Sequence, residues 1–200
     1  MNIEAVRQSV YYKAQSDFYT YRRLISPDDI IGKFYKDITQ DLQGLYDDFK
    51  AGKSPKLIIC CPPQHGKSSA VVEFFEWTMG KNPDLADIYT SFSGRLGVRA
   101  NMKIQRDLVK PIYLKIFPNT KISAKNVVTL SKNYKKNSEL IEIIDKKGSF
   151  RNTTVGGAIT GESITGFGAV DDPLKGREEA NSETMRNKCW DWYLDDFRTR

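Results

Sequence analysis

Histidine is almost absent from this chain: one, His65, occurs in 200 residues, which excludes a metal centre built on several imidazoles. Cysteine is scarce too. The three present are the adjacent pair Cys60 and Cys61 and the remote Cys189. They give neither C-x-x-C ligand spacing nor a disulfide framework, and the natural reading is a reduced compartment. No apolar run approaches the ~20 residues of a membrane-spanning helix, and no signal-type apolar core follows Met1. Internal repeats and low-complexity tracts are missing. So is any acidic excess: 31 Lys and Arg against 25 Asp and Glu leave a formal charge of +6, a mild bias toward anionic partners such as nucleotide or nucleic acid. The length suits one sizeable core with room for a small appended subdomain.

What the chain does have is the run Cys61-Pro62-Pro63-Gln64-His65-Gly66-Lys67-Ser68-Ser69. An apolar segment over 57–60 enters it with strand character, and a helical pattern over 70–79 leaves it. This is the layout of a phosphate-binding loop. In such a loop backbone N–H groups curl around the phosphates, the Lys67 ammonium reaches the outer phosphates, and the Ser68 hydroxyl ligates Mg2+. Pro63, Gln64, His65, Gly66, Lys67, Ser68 and Ser69 are therefore the expected nucleotide-binding residues. The usual pattern is G-x-x-x-x-G-K-[ST]. Cys61 stands where the first glycine belongs, so the strand before the loop and the helix after it must carry the assignment. His65 has a phosphate-side or loop-shaping role, or is a solvated ring.

The second element of chemistry is Asp171-Asp172-Pro173, at the end of a short apolar segment over 164–170. Nucleotide hydrolysis needs one carboxylate to hold Mg2+ through its waters and another to orient and polarise the attacking water. Asp171 fits the metal side together with Ser68, and Asp172 the catalytic carboxylate. Taken alone the tripeptide is a helix-capping turn; the loop upstream gives it its other meaning.

Between and around these motifs, residues 3–21 read as a docking helix or arm (1–26), with Ile3, Val6, Val10, Ala14 and Phe18 at helical spacing. Ser26-Pro27-Asp28-Asp29 reads as a helix start, with Ser26 as N-cap, Pro27 in the first turn and Asp29 in a capping box. An apolar stripe of Ile31, Phe34, Ile38, Leu42, Leu45 and Phe49 follows as far as Gly52. A strand over 87–92 and a helix over 96–113 interrupted at Pro111 come next. Segments 127–130, 140–144 and 150–155, separated by lysine-rich turns, read as a small antiparallel insertion over about 121–155. Helices over 177–186 and 189–197 close the chain. The alternation implies an α/β fold with a mainly parallel central sheet flanked by helices, an ATPase domain of phosphate-loop type over 27–200.

Several segments occur in a telling order: Phe34-Tyr35-Lys36-Asp37-Ile38, Pro62-Pro63-Gln64-His65-Gly66-Lys67-Ser68, Tyr113-x-x-Ile116-Phe117-Pro118, Gly157-x-Ile159-Thr160-Gly161, Asp171-Asp172-Pro173-Leu174-Lys175-x-Arg177-Glu178-Glu179-Ala180 and Trp190-x-Trp192-Tyr193. Over residues 30–200 the chain thus resembles the ATPase part of the large terminase subunit of tailed bacteriophages. The resemblance implies an ATP- and Mg2+-dependent P-loop NTPase that drives double-stranded DNA into a capsid, working as a homo-oligomeric ring with a terminase small subunit and a portal protein, in the cytoplasm of the infected bacterial host. It implies adenine contacts at Tyr35 and Gln43, with Gln40 nearby. It also implies a charge-neutralising arginine, for which Arg95, Arg99, Arg106 and Arg151 are candidates. The family's coupling segment would fall just beyond Arg200, and no nuclease domain is present, so the expectation is an N-terminal fragment with weak turnover by itself. A helicase-like ATPase and a nucleotide-binding assembly module without turnover are the alternatives. Lys132, Lys135 and Lys136 around Tyr134, with Lys146 and Lys147, are the candidate DNA contacts or else solvated turns.

Overall fold

The computed structural model describes residues 3–127, 134–157, 159, 161 and 163–200. The chain divides into two compact units, Met1–Asn82 with Arg106–Lys121, and Pro83–Gln105 with Ile122–Arg200. The fold is mixed α/β with a four-stranded, mostly parallel sheet.

The first unit is helical. It contains α1 (Ile3–Ser16), α2 (Phe18–Ile25), α3 (Lys33–Lys50), α4 (Lys67–Lys81) and, from its second stretch, α6 (Pro111–Ile116). One helix was expected over 3–21, but Asp17 breaks it. Its side chain accepts from the Thr20 N–H at 2.6 Å, which makes it the N-cap of α2. The Ser26 helix start is not formed either. Ser26 ends α2, and its hydroxyl donates to Glu73 at 2.7 Å, so it caps nothing downstream. α3 begins instead after Gly32, which offers no side-chain cap.

The buried face of α3 is Tyr35, Ile38, Thr39, Leu42 and Tyr46, rotated from the expected stripe. Ile31 is exposed, while Phe34, Leu45 and Phe49 are half-buried. Aromatic and hydroxyl groups took the core positions because a charge needed company there. Arg22, 2 % exposed, donates to Glu73 at 2.7 Å and to the Thr39 hydroxyl at 2.7 Å, with its guanidinium 4.0 Å above the Tyr35 ring. α4 is buried almost all round, with Trp77 donating to the Ala14 carbonyl and Tyr113 to the Glu76 carbonyl. It passes so close to Phe117 that a Cβ on Gly80 would lie 2.3 Å from the ring.

The second unit carries the sheet, in the order β2-β3-β1-β4, with β1 (Ala86–Ser91), β2 (Leu140–Glu142), β3 (Ser149–Thr154) and β4 (Gly168–Asp171). Most of α5 (Gly94–Leu108) belongs to it, as do α7 (Gly176–Asn181), α8 (Glu183–Trp192) and a π-helical turn Tyr193–Phe197. β1 lies in the middle. It pairs in parallel with β3, from Ala86 opposite Ser149 to Ser91 opposite Thr154, and in parallel with β4, from Ile88 opposite Gly168 to Ser91 opposite Asp171.

Placing 150–155 in an antiparallel insertion was therefore wrong in one respect. β3 is antiparallel to β2 but also forms the parallel neighbour of β1. Phe150 and Asn152 are buried on it, and Asn152, with its amide turned to satisfy its neighbours, donates to the carbonyls of Ser138 and Glu139 next to β2. What remains of the insertion is β2 and isolated antiparallel bridges that pair Ile122 with Ile143 and Lys136 with both Val127 and Ile141. The expected strand over 127–130 falls outside the described residues after Val127.

Candidate phosphate-loop and carboxylate sites

The helix after the loop forms as expected and the strand before it does not. Residues 57–60 carry no regular structure; Leu57 is 38 % and Ile58 87 % exposed. The run enters from Lys53, Ser54, Pro55 and Lys56, and neither an apolar cover nor a ladder partner holds it, so its β-branched pair alone does not make a strand. Residues 63–66 form a turn, with Gln64 at φ 64° and Gly66 at φ 79°. Gly66 is the N-cap of α4 in the left-handed region, where a side chain would be strained, and it brings no capping side chain of its own. The Ala70 N–H donates to its carbonyl at 2.9 Å, so the helix proper begins at Lys67. Lys67 is half-buried; Ser68 and Ser69 are exposed in the first turn.

His65 has a definite environment. Its Nδ1 lies 2.9 Å from the Pro63 carbonyl oxygen, and its ring meets Phe34 edge-on at 6.0 Å. The ring is exposed, so a loop contact and a solvated ring are both compatible with its surroundings. The expected adenine contacts are engaged within the helical unit. Tyr35 is buried beneath Arg22 and edge-on to Tyr19, and the Gln43 amide accepts from the Phe18 N–H and donates to Asp47. Gln40 is exposed on α3. An open cleft of about 660 Å³ in this unit is lined by Gln15, Tyr46, Lys81, Asn82 and Phe117 among others. It lies at the far end of α4, about 20 Å along the helix from the loop.

The two aspartates end β4 in different states. Asp171 is buried and accepts from the Tyr89 hydroxyl at 2.6 Å, whereas Asp172 is exposed at φ 47° with its carbonyl accepting from the Phe92 N–H. Burial and the adjacent Asp171 carboxylate push the Tyr89 phenol well above its ordinary value, so it remains an O–H donor. Alternation along neighbouring parallel strands explains the contact. Tyr89 stands opposite Ala169, and Asp171, two residues on, shares its face.

Sequence reasoning placed Asp87 at the start of a strand and gave it no chemical part. It is fully buried at the start of β1, its Oδ1 accepts from the Phe167 N–H at 2.7 Å, and burial lifts its pKa to about 8. The signal was available in an acid beside Ile88 and Tyr89 in a strand-forming run.

Among the candidate arginines, Arg95, Arg99 and Arg106 are exposed on α5, and Arg151 is half-buried on β3. In the lysine-rich turns, Lys132 lies outside the described residues. Tyr134 donates to Asp145, and the Lys135 N–H donates to Glu142. Two acidic side chains, Glu142 and Asp145, thus lie beside that turn.

Among the described residues no three His, Cys, Asp or Glu side chains converge on one point, and no helix is long and apolar enough to cross a membrane. The Ser68 hydroxyl in the one unit and the Asp171 carboxylate in the other are each an oxygen donor of the kind that Mg2+ takes. The chain matches no family model, no curated protein and no solved structure.

Proposed function

We propose that this chain is an ATP-hydrolysing motor domain of phosphate-loop type, of the kind that tailed phages use to package double-stranded DNA. The observation that carries the reading is the left-handed Gly66 turning the chain into α4 at Lys67-Ser68-Ser69. A glycine at positive φ directly before Lys-Ser at a helix start is the backbone such a loop requires. The second support is Asp171-Asp172 at the end of a parallel strand, one acid buried and fixed, the other exposed.

In this reading the loop and the Lys67 ammonium bind the phosphates, Ser68 and Asp171 hold Mg2+, and Asp172 takes the proton of the attacking water. Mg2+ held by these residues would neutralise charge on the phosphates as it develops. Double-stranded DNA is the track; a small terminase subunit and a portal are the partners; the host cytoplasm is the place of action. The exposed 57–60 run marks where this reading and the fold differ, since a phosphate-loop strand is ordinarily buried in its sheet.

Phosphate release and nucleotide binding measured in parallel test the proposal. Lys67→Ala should weaken ATP binding and abolish turnover. Asp172→Asn should bind Mg-ATP and not turn over, while Asp171→Asn should raise the magnesium requirement. Binding without turnover in the parent chain would reduce the reading to an assembly module. Unaltered binding and turnover in Lys67→Ala would remove it.

A further inference from the structure

We infer that the solvent face of α5 is a contact surface for the phosphate backbone of double-stranded DNA. The inference takes its ligand from the reading above and adds the surface that meets it. α5 buries Ala100, Asn101, Ile104, Gln105 and Leu108, and it turns Arg95, Arg99, Met102 and Arg106 to solvent. Those four stand at i, i+4, i+7 and i+11, so helical geometry alone puts them in one stripe about 16 Å long. Among the described residues none of the three arginines makes a hydrogen bond or an ion pair. The acid of the helix, Asp107, is buried and paired with Lys110 at 2.8 Å, so no carboxylate of α5 answers the stripe.

Residue type and spacing together define the ligand. A guanidinium fork matches phosphate oxygens two at a time and stays charged at any physiological pH. Three such forks along a line suit a polymer with a phosphate every ~3.4 Å of each strand. A compact anion would need them gathered at a point. Met102, 44 % exposed, is the apolar member of the stripe, and its thioether has no donor with which to read a base edge. Contact is therefore with the backbone, dependent on salt and indifferent to sequence. The lysine-rich turn around Tyr134 lacks this combination, since Glu142 and Asp145 lie beside it.

The test is fluorescence-anisotropy titration of the full chain with two DNA duplexes of unrelated sequence across a salt series, with circular dichroism to confirm folding. Arg95→Gln, Arg99→Gln and Arg106→Gln together keep good helix formers on α5. They should weaken binding to both duplexes alike and flatten the slope of log K against log salt by about three. Lysine at the same three positions should keep the parental slope. So should Lys13→Gln, Lys36→Gln and Lys50→Gln together, which remove the same net charge from exposed positions on α1 and α3. A parental slope in the α5 glutamine triple, in a chain that binds duplex DNA, overturns the surface and leaves the DNA partner standing. Equal flattening in the two glutamine triples means diffuse attraction to net charge and overturns it as well. If the parent chain binds neither duplex, the DNA partner itself fails and the surface falls with it, whatever its ATP binding shows.

Discussion

In the helical unit the buried acid Glu73 faces the Arg22 guanidinium at 2.7 Å and the Ser26 hydroxyl at 2.7 Å. In the sheet unit the buried acid Asp87 meets the Phe167 N–H on one oxygen, and its other oxygen has no hydrogen-bond partner among the described residues. Both carboxyls are taken out of water, at a cost that has to be offset. One unit offsets it with an ion pair, which needs three elements to converge: α2, α4 and the Thr39 position of α3. The other offsets it with a proton, and Asp87 stays neutral up to about pH 8. The same contrast runs through the backbone. The positive φ that each candidate site needs is met by a glycine at Gly66 and by an aspartate at Asp172.

Breaking the ion pair should have the largest effect. Glu73→Ala leaves Arg22 buried without its carboxylate and should cost about 3–5 kcal/mol in urea denaturation, while Arg22→Met combined with Glu73→Leu should cost clearly less. A single-variant loss below about 1 kcal/mol would mean that Asp29, 3.8 Å from the guanidinium, takes over the pairing.

Asp87→Asn sharpens the other half. Because the folded carboxyl keeps its proton to about pH 8 and the unfolded one loses it near pH 4, unfolding releases a proton between those values. Stability should therefore fall as pH rises, by at most about 1.4 kcal/mol per unit, and level off above pH 8. Denaturation midpoints of Asp87→Asn across pH 4–8 should show a shallower decline. Equal slopes in the two proteins would place an ionised Asp87 in the fold.

Smaller effects come from the two left-handed positions. Gly66→Ala should cost about 1 kcal/mol, since nothing crowds the added Cβ and only the backbone is strained. Asp172→Gly should change stability by less than about 0.5 kcal/mol, because relief of strain offsets added unfolded-state entropy. Calorimetry reads both. Phosphate release should nonetheless vanish in Asp172→Gly, which separates the side chain's chemistry from its backbone.

The features legible in the sequence were those whose cause is local. α4, β1 and the break at Pro111 follow from periodicity and from a residue that cannot donate. The end of α3 near Gly52 was readable for the same reason, as that glycine sits at φ 76°. Ser26 misled because its hydroxyl had two acceptable uses, a cap or a distant carboxylate, and only the packing of α2 on α4 decides between them. The stripe on α3 was rotated by Arg22, a residue outside the helix. β3 read as an ordinary hairpin strand because parallel pairing leaves no mark on the turns that flank it. At the loop, the helix expected after Gly66 does start at Lys67, yet the 57–60 run shows that an apolar tetrapeptide specifies a strand only when a neighbour is there to receive it.

β1 takes both its partners from far along the chain, Ser149–Thr154 on one side and Gly168–Asp171 on the other. No hairpin can nucleate it. The sheet is thus a structure of high contact order, slow to close compared with the helical unit, whose first contacts are between neighbours such as α1 and α2. During synthesis, the six residues of β1 emerge with both edges unsatisfied and wait for residues 149–154 and 168–171 to follow. For that interval the chain's exposure to aggregation is set by β1 rather than by any surface of the finished fold.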